Sequence, residues 1–192
     1  MYSRGEGLPQ DDSKAAEWYL KAANQGHATA QADLGVMYQF GKGVPLDYPK
    51  AAELYLNAAN QGNALAQYNL GTLYSNGEGV PQDHSKAFEW CLKAADQGHV
   101  EAHINVGTRC QYGVGVPEDL SKAIEWYLKA ANKGYAEAQY RLGHMYGMGQ
   151  GVPADADKAI EWFEKAAKQG HARAQESLDT IRHVLRKHGH LD

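Results

Sequence analysis

The chain has 192 residues with 19 basic and 23 acidic side chains, a formal charge of -4, which gives no electrostatic basis for binding nucleic acid or an anionic membrane surface. No apolar run approaches the roughly 20 residues needed to span a bilayer, and two cysteines supply no disulfide framework. Met1–Gln10 is polar and glycine-rich, without the apolar segment of an export signal. The expected location is therefore cytoplasmic, or periplasmic or secreted if an N-terminal signal has been removed.

From the N-terminus, Gly5-Glu6-Gly7-Leu8-Pro9 reads as a loop and Ser13 to Gln25 as a helix ending at Gly26. Ala28-Thr29-Ala30-Gln31-Ala32-Asp33-Leu34-Gly35 then begins a unit that returns every 36 residues, at Ala64, Val100 and Ala136. A fixed period in the range of about 20–50 residues signals a repeat array. The frame is one array: a partial repeat 1–27, repeats 28–63, 64–99, 100–135 and 136–171, and a terminal capping helix 172–187 with a short tail.

Each repeat has the same parts. A helix-period stripe such as Ala66, Leu70, Leu73 and Tyr74 predicts a first helix, helix A. Gly-x-Gly-Val-Pro follows, as in Gly77 to Pro81, and reads as a loop, because Gly permits positive φ and Pro disfavours helix before it. Asp11, Asp47, Asp83, Asp119 and Asp155 then stand as N-caps, with Pro49 in the first turn of its helix. The second helix, helix B, is shown in full by Lys122 to Ala131. Its Glu125–Lys129 pair, like Glu17–Lys21, Glu89–Lys93 and Glu161–Lys165, has favourable i,i+4 order and reads as a solvated outer face. Helix B ends at Gly26, Gly62, Gly98, Gly134 and Gly170.

Trp18, Leu54, Trp90, Trp126 and Trp162 form one column, and Tyr19, Tyr55, Cys91, Tyr127 and Phe163 the next. Both read as packing between helices. Gly35, Gly71, Gly107 and Gly143 sit in mid-helix, where Gly costs roughly 1 kcal/mol relative to Ala, and so predict a close approach of helices. The last helix departs from the pattern: Asp179 replaces the column Gly and Arg182 the column Tyr. Leu178, Ile181 and Leu185 keep one apolar face, while Arg186, Lys187 and His188 leave the rest polar, as a solenoid cap requires.

Ala-x-Ala-Gln-x-x-Leu-Gly-x-x-Tyr-x-x-Gly-x-Gly-Val-Pro-x-Asp-x-x-Lys-Ala-x-x-Trp-Tyr-x-x-Ala-Ala-x-x-Gly resembles the Sel1-like repeat, a relative of the tetratricopeptide repeats. The resemblance covers Met1 to about Leu185. It implies an all-α fold, a right-handed α/α superhelical solenoid with helices A on the concave face, and work as a non-catalytic scaffold or adaptor with a protein or peptide partner, often in bacteria. Some secreted members carry a cysteine pair in each repeat. The corresponding positions here are Ala59 and Ala66, which disfavours that subgroup. The alternative, a secreted Sel1-like protein with hydrolase or saccharide-binding activity, needs a cluster of titrating residues in a cleft and an export signal, and neither is visible in the sequence.

If the tetratricopeptide analogy holds, a polar column of helix A faces the groove: Asp33, Asn69, Asn105 and Arg141. Asn offers both donor and acceptor, and Arg can hold a carboxylate by two hydrogen bonds. Tyr68 and Tyr140 precede this column. Thr72, Thr108 and His144 follow the column Gly, and Phe40, Asn76, Tyr112 and Met148 fall near the rim. These supply the aromatic anchors and convergent polar groups of a binding surface. Asn69 and Asn105 equally suit bracing of neighbouring helices, and the sequence leaves the two readings open.

Arg109 and Cys110 break the columns of Met37, Leu73 and Met145 and of Tyr38, Tyr74 and Tyr146. A charge in an apolar column needs a partner, and with Cys91 these residues read as local repacking rather than a disulfide. His27, His99 and His171 share one column that reads as a surface turn. Together with His103, His183, His188 and His190 they complete no convincing ligand set, so no metal and no cofactor is expected. No nucleophile, base and orienter are brought together by the repeat, so no catalytic residues are expected. The helix Ser13 to Gln25 has no helix A before it, which leaves Trp18 and Tyr19 partly uncovered and raises self-association through the N-terminal end.

Overall fold

The computed structural model describes residues 11–187. It consists of the helices α1 (Asp12–Asn24), α2 (Ala28–Phe40), α3 (Tyr48–Asn60), α4 (Ala64–Asn76), α5 (His84–Asp96), α6 (Val100–Tyr112), α7 (Leu120–Ala131), α8 (Ala136–Met148), α9 (Ala156–Ala167) and α10 (Ala172–Lys187), with no strand among the described residues. Even-numbered helices are the helices A of the sequence and odd-numbered ones the helices B. The loop Gly5–Pro9, with His188 and His190, lies outside the described residues, as do the side chains of Leu185, Arg186 and Lys187. The chain divides into two compact units, one up to Ala102 and one from His103.

In the first unit, helix starts are fixed by side chains. The carboxylates of Asp11, Asp47 and Asp83 accept the N–H of Lys14, Lys50 and Lys86 at 3.0 Å, and Pro49 takes its place in the first turn of α3. Asp47 and Asp83 also donate their own N–H back to helix A, to Tyr38 O and Tyr74 O, both at 2.9 Å. One residue therefore closes the loop and opens the next helix. At the other end Gly26, Gly62 and Gly98 adopt φ of 86–87°, the left-handed conformation that Gly reaches without a Cβ clash. The second unit repeats these devices at Asp119 and Asp155 and at Gly134 and Gly170.

The loop glycines do a different job. A Cβ on Gly43 would lie 2.3 Å from the carbonyl carbon of Asp12, and one on Gly79 2.3 Å from that of Tyr48. Each loop thus rests on the first turn of the preceding helix B, with room only for hydrogen. In the second unit, Gly151 meets Leu120 in the same way.

The core follows the second aromatic column. Tyr55 and Cys91 are buried in the first unit, Tyr127 and Phe163 in the second. Each lies against the mid-helix glycine of its own repeat. An added Cβ would come within 2.6 Å of Tyr55 at Gly35, 2.7 Å of Cys91 Sγ at Gly71, 2.7 Å of Tyr127 at Gly107 and 2.6 Å of Phe163 at Gly143. Buried alanines fill the remaining contacts, among them Ala59 and Ala66.

A glutamine ladder, unanticipated in the sequence, ties helix A to the helix B turns on either side of it. In the first unit, Gln67 Nε2 donates to Ala59 O at 3.1 Å, while its Oε1 accepts from Gln97 Nε2 at 2.7 Å. Gln31 does the same with Ala23 and Gln61, and in the second unit Gln139 with Ala131 and Gln169. Gln31, Gln67 and Gln139 are buried, so the bonds satisfy groups that would otherwise be costly to bury. His103 and Lys133 replace both members of one rung together.

The Trp column packs at the edge of the core: Trp90 lies half-buried against it and Trp126 stacks on His103 of α6, while Trp18 at the N-terminal end is exposed. The outer face differs from expectation in one way. The four i,i+4 Glu–Lys pairs do not close into salt bridges. Instead the ammonium groups of Lys21, Lys93, Lys129 and Lys165 lie over the rings of Trp18, Trp90, Trp126 and Trp162 at 3.6–4.4 Å from the ring centroids. An exposed ion pair gains little in water, whereas the lysine stem covers indole surface as its charge meets the ring face.

Two measurements test this account. Gly143→Ala must push Phe163 aside and should lower stability by about 1–3 kcal/mol. Gly147→Ala, where the nearest atom is Ala159 Cβ at an ordinary 3.6 Å, should raise it by about 0.5–1 kcal/mol through helix propensity. Urea unfolding midpoints report both. Second, backbone N–H donors lead the interactions that hold the carboxyls of Asp11, Asp83, Asp119 and Asp155 below the ordinary aspartate range. A carboxyl with its folded pKa below its unfolded one stabilises at pH above the unfolded value and loses that contribution as pH falls through the folded value. Stability should therefore drop below about pH 4, and an Asp119→Asn/Asp155→Asn variant should show a flatter acid limb in pH-dependent unfolding.

Candidate functional site

The polar column of helix A lies beside the core aromatics. In the first unit Asn69 hydrogen-bonds the Tyr55 hydroxyl, which itself donates to Gln39 Oε1 at 2.7 Å. Thr72 Oγ1 donates to Tyr68 O at 3.1 Å, one turn back in its own helix. Tyr68 stacks on His99, with ring centroids 4.8 Å apart, and Asp33 is half-buried. Burial is the leading cause that pushes the Tyr55 and Tyr68 phenols up, so both stay protonated donors.

The second unit gathers more of the expected site. Tyr127 Oη donates to Gln111 Oε1 at 2.9 Å and lies 3.1 Å from Thr108 Oγ1, and Thr108 also donates to Ile104 O at 2.9 Å. Asn105 Oδ1 accepts from Arg109 Nε at 2.7 Å, and Arg109 also reaches Val114 O. The charge that breaks the apolar column is thus buried but partnered. Cys91 and Cys110 are buried free thiols, and burial raises the Cys110 thiol.

Arg141 lies with its guanidinium 5.7 Å from the Tyr127 ring centroid and its Nε 2.7 Å from Glu137 Oε1. Burial works against its charge, but the neighbouring Tyr127 and Glu137 more than offset it, and its pKa is raised. Glu137 Oε2 also lies 3.1 Å from His171 Nε2. His171 Nδ1 accepts the N–H of Ala174, at 3.2 Å, and so caps α10. That lone pair places the proton of a neutral ring on Nε2, where it is donated to Glu137. The ring also stacks on Tyr140 at 4.7 Å. The sequence reading of this histidine column as a surface turn is thus corrected: His27 is exposed, but His99 and His171 turn inward onto Tyr68 and Tyr140.

Two cavities open beside these residues. One, of about 300 Å³, is lined by Gln111, Tyr112, Glu137, Tyr140, Arg141, His144, Gln150 and Arg173. The other, of about 570 Å³, lies among α8, α9 and α10, with Tyr140, Gly143, Phe163, Met148 and Ile181 in its wall. Tyr140, His144 and Arg173 line both. The rim column is open to solvent, with Tyr112 62% and Met148 68% exposed here and Phe40 60% exposed in the first unit. Tyr112, Tyr140, Arg141 and His144 are therefore brought together, whereas Asn69, Thr72, Asn105 and Thr108 spend hydrogen bonds on their own helices and neighbours. Arg173 and the glutamines Gln111 and Gln150 were missed. Arg173 stands in the atypical last helix, in a column whose residue varies from Thr29 and Leu65 to Glu101 and Glu137.

Among the described residues, no three of the His, Cys, Asp and Glu side chains group as metal ligands, and no helix is long and apolar enough to cross a membrane.

The Sel1 repeat family matches residues 1–27, 28–63, 64–99, 100–135 and 136–171. No curated protein matches the chain. Among solved structures, it is similar to c5321, a protective antigen of uropathogenic Escherichia coli with an SLR fold, at 39% identity and a TM-score of 0.90, over 94% of this chain and 38% of that one. It is similar to a Sel1 repeat protein of Oxalobacter formigenes at 36% identity and 0.85, over 94% and 72%. The immunity protein Pa5087 of Pseudomonas aeruginosa follows at 25% identity and 0.54, over 87% and 62%. The chain thus spans little more than a third of the length of c5321. Sel1 repeat proteins are generally non-catalytic scaffolds that mediate protein–protein interactions. Five repeats in one frame, on an all-α fold of the Sel1 solenoid class, make this chain a member of the Sel1 repeat family.

Proposed function

We propose that this protein is a scaffold or adaptor that takes a peptide segment or protein surface on the face of its helices A, and that Tyr112, Tyr140, Arg141 and His144 form the main contact region. The observation that carries this reading is the pair of adjoining cavities that share Tyr140, His144 and Arg173. One side is polar and hydrogen-bonding, the other apolar, and exposed Tyr112 and Met148 stand at the edge. An anchor pocket with a polar surround is how a small part of an interface comes to dominate its affinity. Tyr140 and Arg141 are held by His171, Glu137 and Tyr127, so little side-chain entropy is lost when a partner arrives.

The test compares capture of partners from the native cell lysate by the wild-type protein and by Tyr112→Ala/His144→Ala. Both substituted side chains are exposed, so the fold is retained. A partner held on this face should be lost by at least about tenfold, or about 1.4 kcal/mol. Equal capture by the two proteins would move the contact off this face.

A further inference from the structure

Two of the four full repeats share a polar device that the other two lack. At Tyr55 and Gln39, and again at Tyr127 and Gln111, a buried hydroxyl donates to a glutamine at 2.7 and 2.9 Å. The same two positions are Cys91 and Ser75 in the second full repeat, and Phe163 and Gly147 in the last. In the last repeat the hydroxyl and its acceptor are missing together, beside the cavity of about 570 Å³ walled by the rings of Tyr140 and Phe163, small residues, Met148 and Ile181. Gly147 keeps a helical φ, and a Cβ there would meet only Ala159 Cβ at 3.6 Å. Neither backbone conformation nor crowding therefore requires glycine at 147.

The charges around the cavity single out one group. Arg141 is paired with Glu137, and Glu137 also meets His171. His144 is in edge contact with Tyr140 and Phe163. Glu176 lines the cavity one turn beyond Arg173 without closing on it. Among the described residues, Arg173 makes no ion pair, although it stands in the first turn of α10, where the helix dipole disfavours a cation. An exposed cation that makes no ion pair among the described residues, at the shared edge of two cavities, is complementary to a carboxylate of the occupant.

We propose that this cavity is a socket for one aromatic or large aliphatic side chain of a bound peptide segment, and that Arg173 holds the carboxylate of an adjacent Asp or Glu in that segment. The volume falls in the range of small-molecule pockets, and the polar cavity next to it lets the peptide continue. This rests on the groove reading above and names the chemistry that the groove selects.

Amide NMR titration with acetyl-Phe-Asp-amide, acetyl-Phe-Asn-amide and acetyl-Ala-Asp-amide tests it. Acetyl-Phe-Asp-amide should move the signals of Gly143, Gly147 and Ile181 and bind roughly three- to tenfold more tightly than acetyl-Phe-Asn-amide, while acetyl-Ala-Asp-amide should leave them unmoved. Arg173→Gln should remove the preference for Asp and leave acetyl-Phe-Asn-amide unaffected. Gly147→Gln/Phe163→Tyr, which installs the pair found in two of the other repeats, should abolish binding of both phenylalanyl peptides at undiminished thermal stability. Equal binding of the Asp and Asn peptides would overturn the carboxylate contact, and unimpaired binding to the double variant would overturn the socket. Capture of the native partner by the double variant and by Arg173→Gln, with loss only in Tyr112→Ala/His144→Ala, would overturn the socket and leave the groove standing.

Discussion

An aromatic ring seated on a bare glycine sets the spacing on which the rest of this protein is arranged. A mid-helix glycine costs roughly 1 kcal/mol against alanine, and the chain accepts that at Gly35, Gly71, Gly107 and Gly143 because the helix B side chain then comes to van der Waals contact with helix A backbone. With helices this close, alanine suffices for the remaining core. The Gln67 and Gln139 side chains can also reach across to a neighbouring helix B turn at both ends. Where Cys91 replaces the ring, Gly71 approaches its sulfur and the Ala87 carbonyl instead, and the two helices close the gap themselves.

The scaffold residues and those of the proposed contact region occupy different columns of the same helix. On α8, Ala138, Gln139, Leu142, Gly143 and Met145 are buried, while Tyr140, Arg141 and His144 emerge beside them. The polar column is not freely displayed, because Asn69 and Arg141 each lean on a tyrosine of the preceding helix B. At Arg141 bracing is compatible with the proposed recognition role: the tyrosine that holds the guanidinium also fixes where its charge is presented.

The caps, turns and glycine approaches were legible because each is a local demand. An Asp before a first turn, a Gly after a last one and a Gly in mid-helix each meet a backbone requirement set within a few residues. The glutamine ladder was not legible. Gln67 and Gln97 each recur at the period, but that they bond each other follows only from how far the next turn reaches. The Glu–Lys spacing on helix B was misleading, since the same lysine is also three residues from a tryptophan, and spacing alone does not weigh an ion pair in water against a ring face. The apolar cavity left a faint trace, the joint replacement of Tyr and Gln by Phe163 and Gly147, which gains meaning only once Tyr55 and Gln39 are seen in contact.

The two kinds of turn divide the chain into places that can and cannot be lengthened. The glycines after helix A are wedged: Gly43, Gly79 and Gly151 have no room for one methyl group before they strike the preceding helix B. Those after helix B, at Gly26, Gly62, Gly134 and Gly170, have nothing within 4 Å of an added Cβ. Extra residues, a fluorophore or a whole inserted module therefore have somewhere to go at Gly62 or Gly134. The same insertion at Gly43 or Gly79 would pry successive repeats apart.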